Sequence, residues 1–479
     1  MSSNRASIAP AVEASRRVVI IDDPVLNSPF EEPSKHFRFT EDGISNEIVS
    51  KRRTSSYFIP VPRVRNRRRD QLSLDTEWTA DRLQENEFIN RVRAKVGVWR
   101  ASGYTPSPIT NTTRQLLEYW KRSDRERRLF FCQIEALETA IYLTEVAPRW
   151  EAWMEKSLRD ANAAANPELF RIAFKMATGS GKTVVMAMLI AWQALNKLAD
   201  PQNAKFSDRF LIVSPGITIR DRLRVLLPND PSNYYRAHDL LTPEQLVQLD
   251  AAKIVITNFH SFRPRELVDA SKLTKSILKA NGNGAGVFTE TPEQMVRRVC
   301  RELGNKKNVI VLNDEAHHCY RRKPDAEIEQ LSGDDRKEAQ QREEEARVWI
   351  SGLEAVKRKL GVRSIYDLSA TPFFLQGSGY PEGTLFPWVV SDFSLIDAIE
   401  SGIVKVPRVP VSDDQMRGEQ PTYRDLWIRI RNELPKKGRK TEAIVGEPKL
   451  PTALEGALQS LYSNYRNPPQ YVPHKLHPD

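Results

Sequence analysis

The stretch "RIAFKMATGSGKTVVMAMLIAWQAL", from Arg171 to Leu195, constrains this chain more than any other. An apolar run at 171–177 leads into a turn with two glycines, Gly179 and Gly181, and then into a long apolar helical segment. The first run is apolar on both faces, which suits a central strand of a parallel sheet and not a half-exposed one. Glycines let the backbone bend sharply, and the start of the following helix presents unpaired N–H groups with a positive partial charge. A strand, a glycine turn and a helix start in that order form a backbone cradle for an anion. The segment "TVVMAMLIAW" from Thr183 is too short to cross a bilayer and reads as a buried helix.

Similar runs recur at 209–215 ("RFLIVSP"), 253–259 ("KIVITNF"), 308–314 ("NVIVLND") and 363–370 ("RSIYDLSA"). Their alternation with helical segments predicts an open α/β fold over residues 129–412: a parallel sheet with helices on both faces. Before it, residues 1–78 read as an extended, partly ordered arm that ends in the arginine run "PRVRNRRRD" (Pro62 to Asp70). That run suits either a contact with phosphate backbones or a solvated linker. Helical periodicity starts at Thr79, a candidate N-cap, and marks a helical region over 79–128. Two insertions interrupt the α/β pattern: a Gly/Asn-rich loop near "KANGNGAGVFTETPEQ" and a long charged helix, "DDRKEAQQREEEARVWISGLEAVKRKL". Residues 413–479 carry two further helical patterns and no strand pattern.

Bulk properties set only broad limits. The 479 residues permit two to four domains, and the formal charge of +10 allows a nucleic-acid partner without requiring one. Cys132, Cys300 and Cys319 have neither disulfide nor zinc-site spacing, which fits a reducing compartment, so the expected location is cytoplasmic, with no membrane partner.

The residue types around the turn specify the chemistry. Lys182 is placed to reach the β- and γ-phosphates of a nucleotide, Thr183 to hold Mg2+, and the amides of Gly179, Ser180, Gly181 and Lys182, next to Thr178, to cradle phosphate oxygens. The common G-x-x-x-x-G-K-[ST] pattern fails at one place, because Met176 stands where its first glycine belongs. Asp314 and Glu315 close another apolar run, at the strand end where open α/β sheets bind ligands. There Asp314 can hold a magnesium-bound water and Glu315 can orient and deprotonate an attacking one. Three consecutive residues, His317, His318 and Cys319, are poorly spaced for zinc, so a zinc site is rejected.

Taken in order, "ATGSGKT" (Ala177 to Thr183), "DEAH" (Asp314 to His317) and "SAT" (Ser369 to Thr371) resemble the motifs of superfamily 2 helicases and translocases, of the DEAD/DEAH type. The loop of that superfamily is commonly A-x-x-G-x-G-K-T, which accounts for Met176. Flanking pieces are similar to the restriction (Res) subunits of type III restriction-modification enzymes: "FFCQIEALET" (Phe130 to Thr139), "LIVSPGITIRDRL" (Leu211 to Leu223), "ITNFHSF" (Ile256 to Phe262) and "LSATPF" (Leu368 to Phe373). The resemblance implies a RecA-like P-loop ATPase domain that binds ATP and Mg2+ and acts on double-stranded DNA, with a DNA methyltransferase (modification) subunit as a further partner. It implies that Gln133 reads the adenine edge, with Phe130 or Phe131 packing near the ring, and that His317 joins the catalytic set. It also implies that Pro215, Thr218 and Arg220 lie along the DNA backbone, with Thr257, Asn258 and His260 near the same strand. Ser369 and Thr371 would couple nucleotide state to movement.

Two sequence patterns of such motors are not found. There is no Q-x-x-G-R-x-x-R segment, and losing an arginine finger typically costs about three to five orders of magnitude in rate. A P-D…(D/E)-x-K nuclease pattern is lacking too, since "EPK" (Glu447 to Lys449) has a proline that suits a turn. The expectation is therefore an incomplete motor: one RecA-like domain and a helical connector over 413–479 toward a second domain carried elsewhere, as in a fragment, a split gene or a decayed product. Other readings stay open: a repair or remodelling helicase of the same superfamily, or a non-catalytic ATP-gated module that binds DNA or protein.

Overall fold

The computed structural model describes residues 21, 23–40, 43–58, 83–265, 289–323, 334–375, 377–405, 426–431, 433 and 450–466. Ten strands lie among them: β1 (His36–Thr40), β2 (Gly43–Val49), β3 (Ser56–Phe58), β4 (Leu83–Glu85), β5 (Arg171–Met176), β6 (Arg209–Ser214), β7 (Lys253–Asn258), β8 (Val309–Asp314), β9 (Val362–Ser369) and β10 (Val389–Phe393). Six of them form one sheet in the order β10-β5-β9-β8-β6-β7, and every pairing in it is parallel. All its strands therefore end on the same rim, and this brings the distant motifs together. The register sets Lys175 beside Ser369, Asp314 beside Leu368, and Ser214 beside Asn258.

The apolar character of both strand faces follows from helices on both sides, as the sequence pattern predicts. On one face Ile212, Ile310, Leu312 and Leu368 pack with the helix Lys182–Ala199, whose residues from Val184 to Asn196 are all buried. On the other face Leu211, Val213, Val311 and Ile365 pack with the helices Pro292–Val299 and Asp334–Leu360. The last of these is the expected charged helix, a single element of 27 residues. This architecture is the RecA-like α/β fold.

Two sequence expectations change. Strand β10 was not anticipated; it pairs with β5 and forms one edge of the sheet. The helix expected from Thr79 begins at Glu87, because Leu83–Glu85 instead pairs antiparallel with Ser56–Phe58. Within the described part of the arm, β1 and β2 pair antiparallel. The arginine run at 62–70, most of the Gly/Asn-rich insertion and Glu447 to Lys449 lie outside the described residues.

The helix Phe131–Ile141 is buried at all eleven positions, including Glu135 and Glu138. Arg52 grips Glu135 at two points, both 2.6 Å, and Arg100 Nε donates to Glu138 at 2.6 Å. Both guanidinium groups also lie over the Phe131 ring, at 5.3 and 4.7 Å. Buried acids persist only when charge and hydrogen bonds are matched, so the arm that supplies Arg52 is part of this helix's packing.

Residues Met1–Lys405 group as one compact unit and Val406–Asp479 as another. Within the latter, Leu426–Ile430 and Thr452–Arg466 are helical. No helix among the described residues is long and apolar enough to cross a membrane.

Candidate active site

The turn between β5 and the helix Lys182–Ala199 is left-handed at both glycines, with φ of +86° at Gly179 and +87° at Gly181. At φ +87° a side chain at Gly181 would be strained, and its Cβ would fall 2.1 Å from Gln133 Nε2 and force that glutamine out of place. Gln133 braces both elements. Its Oε1 accepts from the Phe130 backbone at 3.0 Å, capping its own helix, and its Nε2 donates to the Ser180 carbonyl at 3.0 Å. Ser180 is used inside the loop, since both its hydroxyl (2.7 Å) and its N–H (3.2 Å) donate to the Ala177 carbonyl. Thr178 and Gly179 are exposed, while Gly181, Lys182 and Thr183 are half-buried at the helix start. Met176 is fully buried in the core beneath the loop, so its departure from the glycine pattern leaves the turn untouched.

Across the rim, Asp314 ends β8 and Glu315 follows it in a left-handed conformation, φ +48°, an uncommon state for a residue with a side chain. Lys182 Nζ stands 3.4 Å from Glu315 Oε1. Burial, reinforced by the Glu315 charge and only partly offset by Lys182, pushes the Asp314 carboxyl up to about 6. Burial, with His318 and Lys182 adding to it, pushes His317 down to about 4, which keeps the ring neutral near pH 7. Its Nδ1 lies 2.9 Å from Ser369 Oγ and 3.5 Å from Glu315 Oε2, and the Thr371 N–H donates to Ser369 Oγ at 3.0 Å. Lys182, Glu315, His317, Ser369 and Thr371 thus form one connected group.

This arrangement fits a magnesium nucleotide. The exposed glycine turn leaves backbone open to phosphate, and two adjacent carboxylates facing one lysine leave room for a further cation.

The second set of sequence candidates lies on the same rim, beyond β6 and β7. Thr218 is exposed, and Pro215 and Arg220 are half-exposed, on the loop and short helix Ile217–Arg222. Arg220 pairs with Asp221 at 2.8 Å. His260 is exposed, whereas Thr257 and Asn258 are buried. Asn258 Oδ1 accepts from the Ser261 N–H at 3.2 Å and caps the short turn Phe259–Phe262, so its side chain already has a local partner.

Sequence reading missed two neighbours of the loop. The Val404 side chain lies 3.3 Å from where a Gly179 Cβ would be, which places the segment after β10 against the turn. Lys175, on β5, pairs with Asp392 on β10 at 2.8 Å and ties this edge strand beside the loop. The short apolar run "WVV" (Trp388 to Val390) carried that signal in part, but the lysine–aspartate pairing appears only once β10 is placed.

Compared with protein families, residues 125–374, just over half of the chain, match the family described as type III restriction enzyme, res subunit. No curated protein matches. The matched span contains Gln133, the loop, Asp314, Glu315, Ser369 and Thr371. The chain belongs to the type III restriction enzyme res-subunit family and carries its helicase-like P-loop domain.

Proposed function

We propose that this res-subunit family member binds Mg-ATP at the Gly179–Thr183 turn and uses its hydrolysis to act as a DNA translocase or helicase. The observation that carries the reading is the convergence of Lys182, Asp314, Glu315 and the His317–Ser369 contact on one rim of the sheet. Lys182 would exchange its contact with Glu315 for the nucleotide's terminal phosphates. Thr183 and Asp314 would hold magnesium, which supplies charge neutralisation on the phosphates. Glu315, released from Lys182, would orient the attacking water and take its proton. Neutral His317 links Glu315 to Ser369, so a shift of Glu315 reaches the Ser369–Thr371 segment. Gln133 would add adenine recognition from its bracing position, with Phe130 beside the ring. Double-stranded DNA is the proposed track, running over Pro215, Thr218, Arg220 and His260, and a modification methyltransferase subunit is the proposed partner for site recognition.

The direct test is equilibrium binding of a fluorescent ATP analogue with Mg2+. Lys182→Ala should weaken binding by about two orders of magnitude, on the scale of losing a charge-assisted contact to phosphate. Unchanged affinity in a folded Lys182→Ala variant would refute the assignment of the loop.

A further inference from the structure

The long helix Asp334–Leu360 touches the DNA-facing rim at one end of a polar chain that reaches the carboxylates. Trp349, fully buried, stacks flat on Phe259, with ring centroids 5.5 Å apart and planes at 4°. One turn along the helix, Gly352 lies against Phe262 so closely that a Cβ there would fall 2.3 Å from the ring. Residues three apart share a helix face, so Trp349 and Gly352 together key the helix onto the Phe259–Phe262 turn. The turn also carries the exposed His260, whose ring is 4.0 Å from that of Phe259.

The other edge of Trp349 points at the sheet. Its Nε1–H donates to Asn313 Oδ1 at 3.2 Å, and Asn313 Nδ2 donates to Asp367 Oδ1 at 2.8 Å. Asn313 immediately precedes Asp314, and Asp367 stands two residues before Ser369. Because neighbouring strand residues face opposite sides, Asn313 holds the backbone beneath Asp314 from the helix side.

Resting on the ATP and DNA reading above, we infer that Trp349 is a positioning residue through which contact at the Phe259–Phe262 turn shifts the Asn313–Glu315 backbone. Displacement of the turn moves the stacked indole; the indole N–H carries Asn313 with it, and Asp367 couples the same movement to the Ser369 strand. Side chains in such a packed core have little room to absorb the displacement. Coupling of this kind is reciprocal, so bound DNA and bound nucleotide must change each other's affinity by the same factor.

The experiment measures binding of mant-ADP with Mg2+ to the full chain, with and without a blunt mixed-sequence DNA duplex. Wild type, Trp349→Phe and Phe259→Leu are compared; the first variant removes only the indole N–H and part of the ring, the second removes the stack. DNA should change the wild-type affinity by at least about fivefold, the low end of ordinary coupling. In both variants that factor should fall below about twofold, while each ligand alone binds within about threefold of wild type. A purely structural role for Trp349 would lower stability and leave the factor intact, and a folded variant of either kind that keeps the wild-type factor overturns the inference. Wild type that binds both ligands with no mutual effect overturns the inference and spares the proposed function. Wild type that binds neither ligand overturns both.

Discussion

Two sets of buried or half-buried acids, Glu135 with Asp367 and Asp314 with Glu315, look alike in sequence but are compensated differently. Glu135 and Asp367 are enclosed and matched by arginine. Burial works against ionisation of Glu135, yet the two-point grip of Arg52 holds its carboxyl down at about 2. Asp367 accepts Arg171 Nε at 2.8 Å, Trp388 Nε1 at 2.9 Å and Asn313 Nδ2 at 2.8 Å. Asp314 and Glu315 instead stand side by side with a single lysine between them and the loop, and Asp314 is pushed up to about 6. Matched acids hold the sheet and its flanking helices together. The mismatched pair stores unfavourable charge where an additional cation would relieve it, the condition expected of a site and not of a scaffold.

The comparison breaks most visibly at Arg171, which is fully buried together with Asp367. Arg171→Met leaves Asp367 charged in the core with neutral donors alone, and should cost about 3–5 kcal/mol of folding free energy in urea denaturation. A cost below about 1 kcal/mol would mean that the neutral donors suffice, and the matched group would lose its defining property.

At the rim the sign reverses. The folded protein binds the Asp314 proton more tightly than the unfolded chain does, with a pKa of about 6 against 3.8. Stability therefore falls as pH rises from about 4 to 6 and stays at that lower level above it. Asp314→Asn removes this penalty and should raise stability at pH 7.5, without metal, by on the order of 2–3 kcal/mol. The gain should vanish below about pH 4, while Mg-nucleotide affinity drops. A destabilised Asp314→Asn variant at pH 7.5 would show that Asp314 belongs with the matched acids.

The same contrast explains what the sequence could reveal. The five central runs and the loop were legible because their signal is local: apolar periodicity, glycine spacing, and short motifs whose chemistry needs adjacent residues. Asp314, Glu315 and Lys182 are singled out in that way. The matched acids are not. Nothing local marks Glu135 and Glu138 as buried, because their partners Arg52 and Arg100 lie far upstream. Trp349, in a strongly charged helix, likewise gave no sign of its contacts with Phe259 and Asn313. The misjudged helix start at Thr79 has the same origin: pairing with Ser56–Phe58, distant in sequence, prevailed over local helical pattern.

His317 gives the smallest and most selective test. Its ring is neutral in the folded state because burial, His318 and Lys182 lower its pKa from 6.5 to about 4. The unfolded chain therefore takes up this proton first as pH falls, so the associated stability is fully present above about pH 6.5 and is lost progressively toward pH 4. By pH 5.5 the loss amounts to about 1.4 kcal/mol, one pH unit below the unfolded value. Asp314 changes in the opposite direction over part of this range, so the wild-type profile alone mixes the two. His317→Gln keeps a side chain able to hydrogen-bond Ser369 but cannot titrate, and it retains Asp314. The stability drop between pH 7.5 and 5.5, measured by urea denaturation in EDTA, should thus be about 1 kcal/mol larger in wild type than in the variant. Equal drops would mean that the ring is already open to protons in the folded state, and its neutral contact with Ser369 could not then relay the position of Glu315.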